Sequence, residues 1–305
     1  ALELKSGDEV IMPSFTIISC AQSLVTHGVK PVLIDSDYQT CNMKVQDIEA
    51  KITTNTKAIM IVHIYGLSVD VDPVLELAKK YNLKVIEDSA EMLGQEYKGK
   101  KCGSFGDIST FSFYANKQIT TGEGGMITTN NPAIYKKMIS LRNLAFGVKN
   151  RFNHDDIGWN YRMTNIQATL GISQLKRINT IVKKRHSIGM RYFKKLHINN
   201  SIYIPEPRRN YSDNIYWVVG IVITNKKLNL NADKIMSKLK KKGIGTRPFF
   251  WPMHKQKILK KYNTNKQNFK NSEYISENGF YLPTSLTLKN KEIDYICNCV
   301  NEIIK

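Results

Sequence analysis

The sequence predicts an α/β fold in which a mostly parallel sheet, with helices on both faces, is followed by a smaller C-terminal α+β unit. Through the first 130 of the 305 residues, short β-branched runs alternate with amphipathic stretches, which is typical of a parallel sheet covered on both sides. A helical stretch follows from Asn165, and beyond it Pro205 and Pro207 precede a segment of alternating apolar residues. The chain is also about twice the length of a typical single domain with one hydrophobic core, so two units are expected.

Six short runs rich in β-branched residues are predicted to form the strands of the large sheet. They lie at residues 10–12, 31–34, 58–62, 84–87, 108–113 and 126–129. Residues 73–81 have the period of an amphipathic helix, with Val74 and Ala78 on one side and Lys79 on the other. Pro73 favours a helix start, and Asp72 before it is the expected N-cap.

The region after these strands is predicted to be one long helical stretch over residues 165–196, suited to joining two domains. It carries Ile166, Leu170 and Leu175 at helical spacing. We therefore expect a large domain at residues 1–204 and a small α+β domain at residues 205–305, in which residues 216–224 alternate like an antiparallel strand.

Composition indicates an ordinary folded protein, because 42% hydrophobic and 23% charged residues argue against wholesale disorder. No apolar run approaches the roughly 18 residues that span a bilayer, and the first nine residues lack a secretory pattern. We expect a cytoplasmic protein with no membrane partner. Five scattered cysteines, an odd number, favour neither a disulfide scaffold nor a structural zinc site.

The net charge of +19 is the most unusual bulk property. Lysines in residues 234–242 and 255–261 interleave with apolar residues at helical spacing, which is typical of solvated helix faces. No nucleic-acid-binding signature accompanies the charge, so nucleic acid is not an expected partner. Attraction of an anionic substrate is the alternative reading of the excess charge.

Polar residues follow two of the predicted strands, where ligands bind in open parallel sheets. Asp88 and Glu91 come after the fourth run, and Ser112, Asn116 and Lys117 come at the end of the fifth or just after it. A carboxylate and a lysine at neighbouring strand ends suit pyridoxal phosphate, whose ring nitrogen an acid keeps protonated and whose aldehyde forms a Schiff base with the lysine. Spacing alone leaves open a solvated lysine and an aspartate that caps a helix.

Seven segments in order along the chain resemble the DegT/DnrJ/EryC1/StrS family, whose members are pyridoxal-phosphate-dependent sugar aminotransferases of the aspartate-aminotransferase fold. This fold is fold type I among pyridoxal phosphate enzymes. The segments are GDEVIMPSFT (7–16), VHIYG (62–66), EDSAE (87–91), FSFYANK (111–117), TGEGG (121–125), GWNYRMTNIQA (158–168) and TRPFFWPMH (246–254). They lie in both predicted domains, so the resemblance covers both domains.

The resemblance assigns roles by position. Lys117 matches the lysine that forms the Schiff base, and Asp88 matches the carboxylate that partners the ring nitrogen. Glu91 falls where the family places a Gln, His or Glu near the ring hydroxyl, and Ser112 matches a phosphate contact. Asn160 matches a residue that reaches the phosphate of the neighbouring subunit's cofactor, which implies a homodimer with shared active sites.

The resemblance is strongest to enzymes that aminate C4 of a GDP-linked 4-keto-6-deoxy sugar, with glutamate as the amino donor. Arg247 and His254 are expected on the substrate side, and Arg162 there or at the subunit interface, with a surface ion pair open for both arginines. Three alternatives remain: an aminotransferase for UDP- or dTDP-linked 4-keto-6-deoxyglucose, one for a small phosphorylated ketone, and a cofactor-binding protein with reduced or lost activity.

Two features depart from the family pattern. Many members carry an aromatic residue near the cofactor ring where Ile17 stands here. Members also carry several tens of residues before the segment at Gly7, including a Gly-Thr/Ser-Ala turn that binds the cofactor phosphate at a helix N-terminus. We expect that turn to lie outside this sequence or to be missing from the phosphate site.

Overall fold

A computed structural model describes residues 1–154, 156–225, 230–262 and 268–304. Its N-terminal part alternates strands with helices, as the sequence predicts. In chain order the elements are β1 (Glu9–Pro13), α1 (Ile18–Val25), β2 (Lys30–Ile34), β3 (Thr56–Val62), α2 (Val71–Lys80), β4 (Lys84–Asp88), β5 (Glu96–Tyr97), β6 (Lys100–Lys101), β7 (Ile108–Ser112), β8 (Gly125–Thr128) and α3 (Pro132–Arg142).

The six predicted runs form one sheet with strand order β2-β1-β3-β4-β7-β8. All neighbouring pairs are parallel except β7 and β8, which are antiparallel. In register, Asp88 lies between Val62 of β3 and Thr110 of β7, so the carboxyl ends of the central strands meet at one edge. The predicted α/β class is confirmed, and this edge is where a ligand site belongs.

The C-terminal part is a four-stranded antiparallel sheet with helices packed against it. Its sheet has the order β11-β12-β10-β9. The elements after α3 are α4 (Asn165–Leu175), α5 (Ile178–Leu196), β9 (Ile202–Tyr203), β10 (Val219–Ile223), α6 (Ala232–Lys241), β11 (Arg247–Pro248), α7 (Lys270–Asn278), β12 (Gly279–Leu282) and α8 (Asn290–Ile303). Apolar residues of α5, α6 and α8 pack on this sheet in one buried cluster that includes Tyr192, Ile235 and Val300.

The N-terminus of α2 differs from the prediction. The helix begins at Val71, Asp70 rather than Asp72 holds the cap position, and Pro73 lies within the first turn. The Asp70 carboxylate accepts a hydrogen bond from the Tyr97 hydroxyl (2.6 Å), and the same hydroxyl accepts one from the Asp72 backbone amide (3.1 Å). A tyrosine distant in the chain thus takes over the capping, and a proline in the first turn removes no helical hydrogen bond.

The structure also divides the predicted long helical stretch into two helices and shortens the predicted alternating strand. The helix is interrupted at Lys176 and Arg177, where the backbone of Arg177 (φ −109°, ψ 11°) lies outside the helical region. The strand begins only at Val219, because Tyr216 has a left-handed backbone (φ 51°) that ends extended geometry before it. β10 is buried along its whole length because it lies between β9 and β12 with the core on both faces.

The large and the C-terminal sheets share a core. One cluster of buried residues joins Met12 and Phe15 of the N-terminal part to Trp217, Val222 and Phe249 of the C-terminal part. Two elements that precede residue 205 belong to the C-terminal part: β9 is a strand of its sheet, and the second half of α5 packs on that sheet. The division at residue 205 therefore remains a prediction.

All five cysteines are buried and free, and within the described ranges no helix is long and apolar enough to cross a membrane.

Candidate active site

A cavity of about 410 Å³ lies at the carboxyl ends of β1, β3, β4 and β7. Its volume is within the roughly 300–1,000 Å³ of small-ligand sites. Five of the eight residues predicted from sequence line it: Asp88, Glu91, Ser112, Lys117 and Arg247. The sheet topology brings these residues together because parallel strands end at one edge.

Lys117 follows β7 in a turn closed by its own amide, which donates to the Tyr114 carbonyl (3.0 Å). Its side chain is only 12% exposed and enters the cavity. The ammonium Nζ lies 3.7 Å from Glu91 Oε1 and 4.0 Å from the centre of the Trp217 ring. The amine is thus held between a carboxylate and an aromatic face.

Asp88 ends β4 and presents its carboxylate to the same cavity. Oδ1 accepts a hydrogen bond from the Ala90 amide (2.9 Å), and Oδ2 accepts one from the Cys20 thiol (3.2 Å). Burial, and secondly the Asp88 charge, raises the pKa of Cys20 well above its usual range, so the thiol stays protonated and donates. No cation pairs with Asp88 in the described part of the chain, which leaves its charge available to a cationic ligand atom.

Glu87, its neighbour, belongs to the opposite face of β4, as the pleat of a strand requires. Each of its two carboxylate oxygens accepts three hydrogen bonds. Burial alone raises the pKa of a carboxyl group, but the hydrogen bonds from His63 and from the backbone outweigh it and lower the pKa of Glu87 to about 2. Glu87 therefore holds the loop before β7 and takes no part in the cavity.

His63 and Cys102 lie close enough to Glu87 to resemble a metal-ligand set. Both ring nitrogens of His63 are engaged, however: Nδ1 accepts from the Val69 amide (3.0 Å), which leaves the proton on Nε2 for Glu87 (3.1 Å). These groups form a hydrogen-bonded support beneath the sheet edge.

Glu91 is buried, and its Oε2 accepts a hydrogen bond from the Tyr65 amide (2.6 Å). Burial raises the pKa of Glu91 to about 7, although the nearby Lys117 acts in the opposite direction. Glu91 is thus a carboxyl group that gains or loses its proton near neutrality, beside the amine of the cavity.

Arg247 lies on β11, is exposed, and pairs in register with Tyr281, which also lines the cavity. Burial raises the pKa of the Tyr281 hydroxyl, and the Arg247 guanidinium partly offsets that effect. The arginine is therefore placed at the cavity where an anionic ligand group would meet it.

Asn160 and Arg162 lie outside this cavity, in an exposed segment before α4. Arg162 Nε donates to Asn160 Oδ1 (2.8 Å). Trp159 and Tyr161 on either side are exposed and stack on each other with ring centres 6.0 Å apart. Within one chain, the structure does not bring Asn160 to the candidate site.

His254 also lies outside the cavity. Its Nδ1 is 2.7 Å from Ser14 Oγ, its Nε2 is 2.9 Å from Glu273 Oε1, and its ring stacks on Phe269 at 4.3 Å. Since both nitrogens are already hydrogen-bonded within the chain, the geometry gives His254 a packing role between the two sheets and does not support the expected substrate contact.

A second cleft of about 440 Å³ lies between α5 and the β5–β6 hairpin. Two of the cations that line it, Lys98 and Arg208, are paired with Asp72 (2.6 Å) and Asp213 (3.2 Å). No amine or carboxylate there is arranged as in the first cavity, so we place the candidate active site at the sheet edge.

Residues 1–301 match the DegT/DnrJ/EryC1/StrS aminotransferase family. The chain belongs to this family. GDP-perosamine synthase of Escherichia coli O157:H7 is 40% identical over 302 residues, which is 99% of this chain and 80% of that protein. GDP-perosamine synthase of Caulobacter vibrioides is 40% identical over 306 residues, covering 100% of this chain and 81% of that protein.

Solved structures agree. The Helicobacter pylori aminotransferase PseC, involved in the biosynthesis of pseudoaminic acid, has a TM-score of 0.91 and 28% identity, covering 98% of this chain and 80% of that one. The PLP-form of a putative sugar aminotransferase from Streptococcus pneumoniae has a TM-score of 0.90 and 27% identity, covering 99% and 82%. The predicted family, enzyme class, fold and pyridoxal phosphate cofactor are confirmed.

The residues of the cavity fit this cofactor of the family. Asp88 is an anionic acceptor with no cation beside it, Lys117 presents an amine, and Ser112 adds a hydroxyl at the end of β7. We expect Asp88 to hold the ring nitrogen, Lys117 to bond the aldehyde carbon and Ser112 to contact the phosphate; these roles are proposals that variants can test.

Three residues at the site were missed by the sequence reasoning. Trp217 and Tyr281 line the cavity, and Arg185 of α5 donates to the Lys117 carbonyl (3.4 Å). Arg185 had a detectable signal, because it stands at helical spacing with Ile188 and Tyr192, on the buried face. The two aromatic residues carried no such signal, since either one reads equally well as part of a strand.

The raised pKa of Glu91 predicts a pH-dependent stability of the cofactor-free protein. The native pKa of about 7 lies above the ordinary value of 4.5, so in this range the native state keeps a proton that the unfolded state has released. The contribution to stability is complete below about pH 4.5 and is lost as pH rises through 7. Chemical denaturation from pH 5 to 8 should show the free energy of unfolding falling by roughly 2 kcal/mol more in the parent than in Glu91→Gln. Parallel pH profiles of the unfolding free energy for the two proteins would refute the raised pKa of Glu91.

Proposed function

We propose that this aminotransferase transfers the amino group of glutamate to C4 of a GDP-linked 4-keto-6-deoxy sugar. The observation that carries the proposal is the meeting of Lys117, Asp88 and Glu91 in one cavity of a chain 40% identical to two GDP-perosamine synthases. Overall, glutamate becomes 2-oxoglutarate and the sugar ketone becomes an amine, so no external oxidant or reductant is needed. Pyridoxal phosphate supplies the electron sink and the temporary amino-group carrier when it is bound.

The chain's own residues supply the proton transfers. Lys117 Nζ is the base that removes the α-proton of glutamate, and it returns a proton to C4 of the sugar in the second half-reaction. Glu91 lies 3.7 Å from that amine, and because burial raises its pKa to about 7 it can take up or release a proton near neutral pH. The Asp88 carboxylate, oriented by hydrogen bonds from the Ala90 amide and the Cys20 thiol, would hold positive charge on the ring nitrogen when the cofactor is bound.

The nucleotide sugar carries phosphate groups, and Arg247 is an exposed cation at the cavity. A guanidinium binds phosphate oxygens through two parallel N–H groups, which suits a diphosphate. We therefore place the sugar nucleotide on the β11 side of the cavity.

A substrate panel tests the proposal. The protein reconstituted with pyridoxal phosphate is incubated with glutamate and with GDP-, dTDP- or UDP-linked 4-keto-6-deoxy sugars, and 2-oxoglutarate is measured. We expect turnover with the GDP-linked sugar. Turnover only with a dTDP- or UDP-linked sugar, or only with a small phosphorylated ketone, would show that the proposed GDP-linked substrate is wrong. A visible cofactor band that glutamate fails to bleach would support the alternative of lost activity.

We also propose that the enzyme is a homodimer in which Asn160 completes the partner's active site. Asn160 is exposed, lies away from its own cavity, and is followed on α4 by exposed apolar residues that a partner would cover, among them Ile166 and Leu170. A two-fold axis would pair this surface with its copy and form two identical sites.

Subunit mixing gives a sharp test of the shared site. Lys117→Arg and Asn160→Ala should each be nearly inactive, but a heterodimer of the two contains one site with neither substitution. Equal mixing after subunit exchange should restore about one quarter of the parent activity, because half of the dimers are mixed and each mixed dimer has one intact site. The control pair, Lys117→Arg with Asp88→Asn, affects the same subunit's site and should restore nothing. Recovery in the control, or none in the test pair, would contradict the shared site.

A further inference from the structure

We propose that Arg185 and Trp217 are positioning residues that clamp the segment bearing Lys117 and fix where its amine lies. Arg185 Nη1 donates to the Trp217 carbonyl (2.9 Å), and Nη2 donates to the Lys117 carbonyl (3.4 Å). The indole Nε1 of Trp217 donates to the Asn116 carbonyl (3.0 Å). Two side chains from distant parts of the chain thus bind consecutive carbonyls of the lysine segment. The inference rests on the role proposed for Lys117.

Arg185 is an unusual residue to bury. It is only 8% exposed, no carboxylate pairs with it among the described residues, and its Nε has no hydrogen-bond partner. Burying a cation without a carboxylate partner costs free energy, and its hydrogen bonds to carbonyls offset only part of that cost. Here the planar guanidinium donates from two fixed, coplanar nitrogens to carbonyls of two different segments, whereas a lysine ammonium has one nitrogen with freely rotating donors and does not fix that geometry.

The position of Trp217 is itself fixed by its neighbours. Its ring stacks on Tyr65 with centres 6.3 Å apart, and its backbone follows Tyr216 in the left-handed region. Gly66 leaves room for this turn, since a Cβ at that position would lie 2.6 Å from the Trp217 amide nitrogen. The packing of two segments therefore decides where the indole face lies.

The centre of the indole ring lies 4.0 Å from Lys117 Nζ, the same amine that lies 3.7 Å from Glu91 Oε1. An aromatic face attracts an ammonium and excludes water from that side of it. The clamp thus keeps the amine near the atoms with which it exchanges protons, and a misplacement of about 1 Å costs on the order of 100-fold in rate.

Three variants separate positioning from packing. Trp217→Leu removes the ring and its hydrogen bond, Trp217→Phe keeps an aromatic face without the bond, and Arg185→Lys keeps the charge without the two-carbonyl span. The chain offers matched controls: Trp251→Phe, whose exposed ring has Lys255 at 5.7 Å, and Arg191→Lys, on the same helix but paired with Asp294 (2.6 Å).

Two measurements are made on each variant. Hydrogen–deuterium exchange of the cofactor-free protein follows residues 114–121, with β3 as reference. Stopped-flow spectroscopy of the reconstituted protein follows the glutamate half-reaction, giving its maximal rate and the glutamate concentration for half-maximal rate. In Trp217→Leu we expect the maximal rate to fall about 30-fold with less than a twofold change in the half-saturating concentration.

Exchange should accelerate about tenfold at residues 114–121 and stay unchanged in β3 for both Trp217→Leu and Arg185→Lys. Trp217→Phe should recover most of the maximal rate, because it restores the aromatic face beside the amine. Its residues 114–121 should still exchange faster than in the parent, because the hydrogen bond to the Asn116 carbonyl is lost. Two results would overturn the clamp: behaviour of the Trp217 and Arg185 variants like that of the controls, or acceleration of exchange across the whole chain with Phe no better than Leu. The exchange data do not depend on catalysis, so a failed Lys117 assignment and a failed clamp remain distinguishable.

Discussion

Replacing Lys117 by arginine should reduce transamination by roughly 10⁴-fold or more, because the variant loses both the nucleophilic amine and the base that moves the proton. A guanidinium remains protonated at any working pH and forms no Schiff base. The substituted chain should still fold, since the side chain is at the cavity and its main interactions are with Glu91 and the Trp217 ring.

The measurement is 2-oxoglutarate release with glutamate and the accepted sugar, together with the visible spectrum of the bound cofactor. Lys255→Arg is a matched control, because Lys255 also lies near a tryptophan ring but is paired with Glu277 (2.9 Å) at the surface. We expect the control to keep the parent rate. Turnover of Lys117→Arg at the parent rate would mean that another group carries the reaction.

The second large effect concerns the two adjacent carboxylates at the end of β4. Asp88→Asn keeps the shape of the side chain and removes its charge, so the cofactor should remain bound while the glutamate half-reaction slows by roughly 10²–10³-fold. The physical reason is that an amide cannot hold a protonated ring nitrogen by opposite charge, and a neutral ring withdraws electrons less strongly.

Glu87→Gln should act on stability. The amide NH₂ of glutamine would face groups that now donate to Glu87, including the Phe105 and Gly106 amides. Leaving such donors unpaired in the core costs about 3 kcal/mol of unfolding free energy. The lowered pKa of about 2 means that the Glu87 contribution is present above pH 4.5 and is lost as pH falls towards 2, so the variant should also lose that acid sensitivity.

Denaturation curves from pH 3 to 7 and single-turnover kinetics of both variants test this division of roles. If Glu87→Gln abolished the half-reaction at unchanged stability while Asp88→Asn spared it, the ring partner would be Glu87. That outcome would conflict with the placement of Glu87 among six donors on the far side of the sheet.

The strands of the large sheet and their alternation with helices were predictable because that information is local. A buried parallel strand such as β1 needs a continuous apolar run, and residues 10–12 form one. The position of Asp88 at a strand end and of Lys117 after the next strand followed from the same pattern, since parallel strands end at a common edge. The family motifs then indicated which lysine and which carboxylate to choose.

Element boundaries were less accessible to sequence because distant residues set them. The cap of α2 depends on the Tyr97 hydroxyl, 27 residues away from Asp70 in the chain. The start of β10 depends on the left-handed turn at Tyr216, which packs against Gly66. No periodicity within either segment carries that information.

The sequence by itself determined the fold class, the family and the cavity's lysine and carboxylates, because local hydrophobic period and short motifs encode them. Only the tertiary structure decided what surrounds the amine, because Arg185 and Trp217 contact the lysine segment from 68 and 101 residues away in the chain. It also places His254, which was predicted on the substrate side, in hydrogen bonds with Ser14 and Glu273 outside the cavity. Such contacts arise from the packing of one sheet on another, so they depend on all the intervening elements at once. The alternation of Glu87 and Asp88 between opposite faces is local to strand β4, whereas the packing around the sheet decides that the cavity lies on the Asp88 side.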